Sequence, residues 1–121
     1  MTDATGAVTR LMTVYVPSTV SAEATQFYTD CIGLPLKFAD GERWVQFGTG
    51  NANFALAGAA EYPTGAQGAI AVFEVDDMAA FRARCAASNV TEVGLRDMGD
   101  HGKVLTIKDL DGNIVQFFSR T

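Results

Sequence analysis

Asp109-Leu110-Asp111-Gly112-Asn113-Ile114-Val115-Gln116-Phe117 closes the second half of the chain, and its reading decides the fold. Two aspartates, a glycine and an asparagine ahead of alternating side chains form a hairpin turn feeding a strand. The glycine supplies positive φ, and the carboxylates bond nearby backbone amides. In the strand that follows, Asn113 to Ser119, the residues Ile114, Gln116 and Phe118 share one face. Working outward, the strands Val90–Leu95 and Lys103–Lys108 precede the turn. Before them come a helix carrying Phe81-x-x-x-Cys85 and a strand over Ile70–Val75. The first half has the same order: a strand over Leu11–Val16, a helix carrying Phe27-x-x-x-Cys31, then short strands ending at Asn53-Phe54-Ala55-Leu56. Two copies of one βαβββ unit are the simplest reading, with modules at about 11–57 and 68–121 joined by a linker at 58–67, all within one domain spanning 1–121. The fold class is α+β. A lone unit cannot cover its own sheet, so two are expected to form a curved mixed sheet around a groove, where function should be sought.

The alternation within the strands assigns their faces. Met12, Val14 and Val16 form one face of the first strand and Leu11, Thr13 and Tyr15 the other. Ala71, Phe73 and Val75 are expected to pack on a helix, leaving Ile70, Val72 and Glu74 towards the groove. Ser21 or Thr19 is placed to cap the first helix, which Gly33 and Pro35 stop. Asp76 or Asp77 caps the second.

Composition narrows the function classes. The chain has 121 residues, 48% of them apolar, which is enough to fill one core. A net charge of −5 without clustered Lys or Arg argues against nucleic acid and anionic membrane as partners. The N-terminal residues lack the basic start and apolar stretch of a secretion signal, so a cytoplasmic location is expected. Cys31 and Cys85 occupy matching helix positions and read as small apolar fillers rather than a disulfide or a nucleophile. Asp109-x-Asp111-Gly112 does not fit a calcium loop, because aligning the glycines puts Ile107 at the first ligand position and Phe118 where the closing Glu must be.

Phe27-Tyr28-Thr29-Asp30-Cys31-Ile32-Gly33-Leu34, the repeat, Val72-Phe73-Glu74-Val75-Asp76-Asp77 and the Asp-x-Asp-Gly-Asn turn together resemble the vicinal oxygen chelate (VOC) superfamily. That group includes glyoxalase I, extradiol dioxygenases, fosfomycin-resistance enzymes and bleomycin-resistance proteins. The resemblance runs from about Leu11 to Thr121. It implies a divalent metal held by one residue from the first and one from the last strand of each unit, positions that fall on Leu11, Ile70, Ala55 and Gln116. Three of these side chains have no donor atom, so no metal and no cofactor is expected.

With those positions aliphatic, the groove lining reads Leu11, Thr13, Tyr15, Trp44, Gln46, Asn53, Ala55, Ile70, Val72, Gln116 and Phe118. This is an apolar, aromatic surface with a few neutral hydrogen-bonding groups, suited to a planar or largely apolar organic ligand. For each aromatic the alternative is simple core packing. The plan is similar to the bleomycin-resistance branch, which implies a metal-free homodimer sequestering a small molecule in grooves shared between two chains. The competing expectation is an enzyme of the same fold acting without the usual His and Glu metal site, with His101, Glu74 or Tyr15 moving protons. His101, the only histidine, lies in Asp97-Met98-Gly99-Asp100-His101-Gly102, where a solvated loop residue is the favoured reading over a catalytic base.

Overall fold

The computed structural model describes residues 6, 10–63, 65 and 68–121; part of the expected linker, at 64, 66 and 67, lies outside the described residues. In the first module β1 (Thr13–Pro17) leads through α1 (Ala22–Gln26) and its π-helical continuation (Phe27–Ile32) to β2 (Leu36–Asp40), β3 (Trp44–Gly48) and β4 (Asn53–Ala57). In the second, β5 (Ala71–Glu74) leads through α2 (Met78–Ala87) to β6 (Glu92–Asp97), β7 (Lys103–Lys108) and β8 (Ile114–Ser119). The strands form two four-stranded mixed sheets, ordered β1-β4-β3-β2 and β5-β8-β7-β6. In each, the first strand pairs in parallel with the last, and the other pairs are antiparallel. The two topologies are identical, as the repeat requires. The sheets do not close on one another.

The strand ends differ from the sequence expectation for reasons of pairing. The backbone N–H of Asn53 reaches Met12 O at 3.0 Å, but the paired ladder itself starts at Thr13. Leu11 therefore lies outside the sheet, as does Ile70, because β5 pairs only from Ala71 opposite Val115. Strand β6 runs later than the expected Val90–Leu95, since its pairing with β7 is irregular between Glu92 and Gly94 and extends to Asp97 opposite Lys103. Ser21 and Asp77 are the caps: their side chains accept from Ala24 N and Ala80 N, each at 3.0 Å.

One core spans both modules. Val16, Val45, Phe47, Phe54 and Leu56 from the first sheet join Leu105, Ile107, Val115 and Phe117 from the second, with both helices packed among them. Aromatic rings bridge the halves: Tyr28 to Phe54 at 5.1 Å, Phe54 to Phe73 at 5.2 Å, Phe73 to Phe117 at 5.7 Å and Phe117 to Phe81 at 4.4 Å between centroids. Each fully buried ring among them contributes about 1.5–3 kcal/mol, and the half-buried Phe73 less. Cys31 and Cys85 are free and buried. Burial first, and Cys31 beside it second, push the Cys85 thiol up to about 12, so at neutral pH it is an apolar filler and not a nucleophile.

The signature motifs of the two halves meet. The second half of the first helix widens into π geometry, with Gly33 N and Leu34 N both donating to Tyr28 O at 3.0 and 2.9 Å, and Gly33 leaves it at φ 88°. Tyr28, fully buried, donates its hydroxyl to Asp109 Oδ2 at 2.7 Å. The same carboxylate accepts from Asp111 N, Asn113 N and Asn113 Nδ2 at 2.8–2.9 Å. Asn113 Nδ2 also donates to Pro17 O at 2.9 Å. Asp111 takes the hydroxyls of Ser18 and Thr19 at 2.6 and 2.8 Å. The turn bonds its own backbone as its sequence predicts, and it also clamps the end of β1. Val20, a β-branched residue held at φ 53°, is part of that clamp: its side chain is buried and its N–H donates to Ser18 Oγ at 2.8 Å.

Candidate functional site

Because each sheet lays one face on the shared core, its other face carries no helix among the described residues. On the first sheet the register sets Tyr15, Ala55, Gln46 and Phe38 in one row, with Ala57, Trp44 and Asp40 in the next. Trp44 and Tyr15 pack with ring centroids 5.2 Å apart at 58°, and Trp44 Nε1 donates to Gln46 Oε1 at 3.0 Å. These side chains cover Ala55, which is fully buried. Thr13 lies next along β1, opposite Asn53, whose Oδ1 accepts from Lys37 Nζ at 2.9 Å. Phe38 is 51% exposed on β2, whose five residues are all exposed; this aromatic was missed in the sequence because Leu36 to Ala39 shows no clean alternation.

On the second sheet the outer rows are Val72, Gln116, Thr106 and Gly94, then Glu74, Phe118, Val104 and Arg96. Gln116 Nε2 donates to Thr106 Oγ1 at 3.1 Å. A cup of about 280 Å³ lies over Gly94, Arg96, Thr106 and Gln116. Arg96 was also missed, since the irregular pairing of β6 decides which of its side chains face outward.

A larger cavity, about 700 Å³, opens where the modules meet and is lined by Leu11, Asn53, Ile70, Val72 and Glu74 together with Val14, Leu34 and Phe73. Its volume is in the range of small-molecule sites, roughly 300–1,000 Å³. The residues expected to line one groove thus fall in three places within a single chain. Thr13, Tyr15, Trp44, Gln46 and Ala55 share the outer face of the first sheet. Val72, Gln116 and Phe118 share that of the second, and Val72 also reaches the cavity. Leu11, Asn53, Ile70 and Val72 border the cavity between modules.

His101 sits in a 3₁₀ turn (Gly99–His101) after β6 and is exposed. No carboxylate among the described residues pairs with its ring, and Asp97 instead accepts from Gly99 N at 2.9 Å. Glu74 and Tyr15 are each exposed on different sheets. The chain does not bring the three proton-transfer candidates together.

The four positions that would hold a divalent metal fit no such ion. Leu11 and Ile70 are exposed aliphatic side chains beside the cavity between modules, Ala55 is buried under Tyr15 and Gln46, and Gln116 contributes one neutral amide oxygen on the other sheet. Among the described residues, no three His, Cys, Asp or Glu side chains gather into a metal site, and no helix is long and apolar enough to cross a membrane.

Comparison with known proteins agrees with this architecture. No curated protein matches the chain. Among solved structures, it is similar to lactoylglutathione lyase from Agrobacterium tumefaciens, at TM-score 0.74 and 21% identity over 93% of this chain and 94% of that one. It is likewise similar to a putative glyoxalase family protein from Bacillus anthracis, at TM-score 0.76 and 18% identity over 98% and 100% of the two chains. TnmS3, an antibiotic binding protein from Streptomyces sp. CB03234, aligns at TM-score 0.72 and 23% identity over 95% and 98%. At these identities the likeness establishes the fold. A family model matches residues 12–117, from the start of β1 into β8, and the chain therefore belongs to the Glyoxalase/Bleomycin resistance protein/Dioxygenase superfamily.

Proposed function

We propose that this protein is a metal-independent, homodimeric cytoplasmic binder that sequesters a small aromatic or hydrophobic organic molecule without altering it. The observation that carries the reading is the Tyr15–Trp44 pair with Phe38 beside it. These rings are exposed or half-buried on an outer sheet face, Trp44 is oriented by its hydrogen bond to Gln46, and no nucleophile or metal-binding group lies among the three. Rings of this kind stack on planar ligands, and Gln46 and Thr13 supply neutral polar contacts. The description of TnmS3 as an antibiotic binding protein supports the same class of activity.

Dimerisation follows from the same faces. Tyr15 and Phe38 on one sheet, and Val72 on the other, are 37%, 51% and 57% exposed, and strands β2 and β6 present open edges. Two-fold pairing of the first sheet of one protomer with the second sheet of its partner covers both faces and forms two equal grooves. Sedimentation velocity at micromolar concentration should give a single dimeric species; a monomer throughout the range would remove the shared-groove arrangement.

Trp44 is the only tryptophan, so its fluorescence reports directly on the face proposed to bind. Titration with planar aromatic compounds should quench or shift it, and Trp44→Ala should weaken binding by roughly 1–3 kcal/mol. The ligand recovered after incubation should have unchanged mass. A modified product that disappears in His101→Ala would replace sequestration by catalysis.

A further inference from the structure

We propose that Arg96 makes the cup on the second sheet an anion subsite, so that the preferred ligand is an aromatic molecule carrying a carboxylate or a similarly acidic group. This rests on the reading of the outer sheet faces as the binding groove and specifies the ligand class. The β6–β7 register sets Gly94 opposite Thr106 and Arg96 opposite Val104; β7–β8 pairing sets Thr106 opposite Gln116 and Val104 opposite Phe118. Depth comes from Gly94, where a Cβ would meet no atom within 4 Å. The walls are Arg96, Leu95 and Val104, the floor is Thr106 with Gln116, and no carboxylate among the described residues lines the space.

Arg96 differs from the arginines that the fold engages. Arg82 grips Glu92 at 2.7 and 2.9 Å, Arg43 meets Glu61 at 3.3 Å, and Arg84 donates to Cys31 O at 2.7 Å. Arg96 has no hydrogen bond or ion pair with any described residue. Its neighbour Asp97 is engaged with Gly99 N, and Glu74, in the same row, is three strands away, or roughly 14 Å at one interstrand spacing each. Thr106 accepts from Gln116, which leaves its hydroxyl hydrogen available to the cup. A planar guanidinium and a hydroxyl donor above an apolar wall match a planar anion, which can take two parallel N–H bonds from the arginine.

The test is calorimetric titration of the intact protein with anthraquinone-2-carboxylate and with anthraquinone-2-carboxamide, which share a ring system and differ in charge. The acid should bind roughly ten- to a hundredfold more tightly. Arg96→Gln should lower the affinity for the acid to that for the amide while leaving the amide unchanged. Arg96→Lys should keep part of the preference, and raising salt should reduce it. Equal binding of acid and amide by the native protein, or equal weakening of both in Arg96→Gln, would overturn the subsite and leave the aromatic groove standing. Failure of both probes to bind the native protein at millimolar concentration would remove the groove reading and the subsite with it.

Discussion

Asp109→Ala should destabilise the protein by roughly 3–5 kcal/mol, more than truncation of any exposed side chain. The carboxylate accepts four hydrogen bonds, and its loss strands the buried Tyr28 hydroxyl together with the donors of the turn that clamps β1. Urea denaturation measures the loss directly. Tyr28→Phe removes one of the four bonds and should cost about 1–2 kcal/mol, so the pair of variants separates the module-bridging bond from the turn's internal ones. The same contact gives an alkaline signature. Burial, and then Asp109, raise the Tyr28 hydroxyl above its ordinary value, so native Tyr28 stays neutral when the unfolded chain ionises. Its contribution to stability is complete below about pH 10 and falls as pH rises past that point. Tyr28→Phe should show a smaller alkaline loss; an identical profile would mean that the contact does not control it.

Gly102→Ala should cost roughly 3 kcal/mol or more and should also disturb the outer face of the second sheet. Gly102 adopts φ 95° and ψ −166°, a region closed to side chains, and a Cβ there would lie 2.6 Å from Ser119 O and 2.8 and 2.9 Å from the Phe118 ring. The backbone oxygen cannot yield without breaking the end of β8, so strain adds to steric conflict. Phe118 can move only by leaving its place beside Val104 and Glu74 in the outer row. Thermal unfolding reads the first effect, and weaker ligand-induced Trp44 quenching reads the second if the partner's second sheet completes the groove. A variant as stable as the native chain would show that the turn relaxes freely.

Much of the scaffold was legible because its signals are local. Alternation in Val14–Val16 and Val115–Phe117 reports which face meets the core, the Asp109–Asn113 turn bonds its own amides, and Ser21 and Asp77 cap helices within three residues of themselves. What alternation misjudged was where pairing stops. Leu11 and Ile70 continue the apolar pattern of their strands but have no partner residue in the sheet: Leu11 falls opposite the turn before β4, and β5 pairs with β8 only from Ala71 onward. The π-helical second half of the first helix had no legible signal either. Within it Tyr28 bonds Asp109, a residue far along the chain.

The sequence by itself determined the repeat, the order of strands and helices and the chemistry of the four aliphatic or amide positions, since all of these are properties of residues or of neighbours in the chain. Only the tertiary structure decided that the residues expected to line one groove are divided among two outer faces and a cavity between modules, that the two helix-side faces merge into one core, and that Arg96 has no partner among the described residues. The physical reason is that a strand's alternation says which side chains share a face but not what lies across from it. That depends on how two modules with identical topology pack to bury the most apolar surface, and burying their helix-side faces together leaves the opposite faces outward.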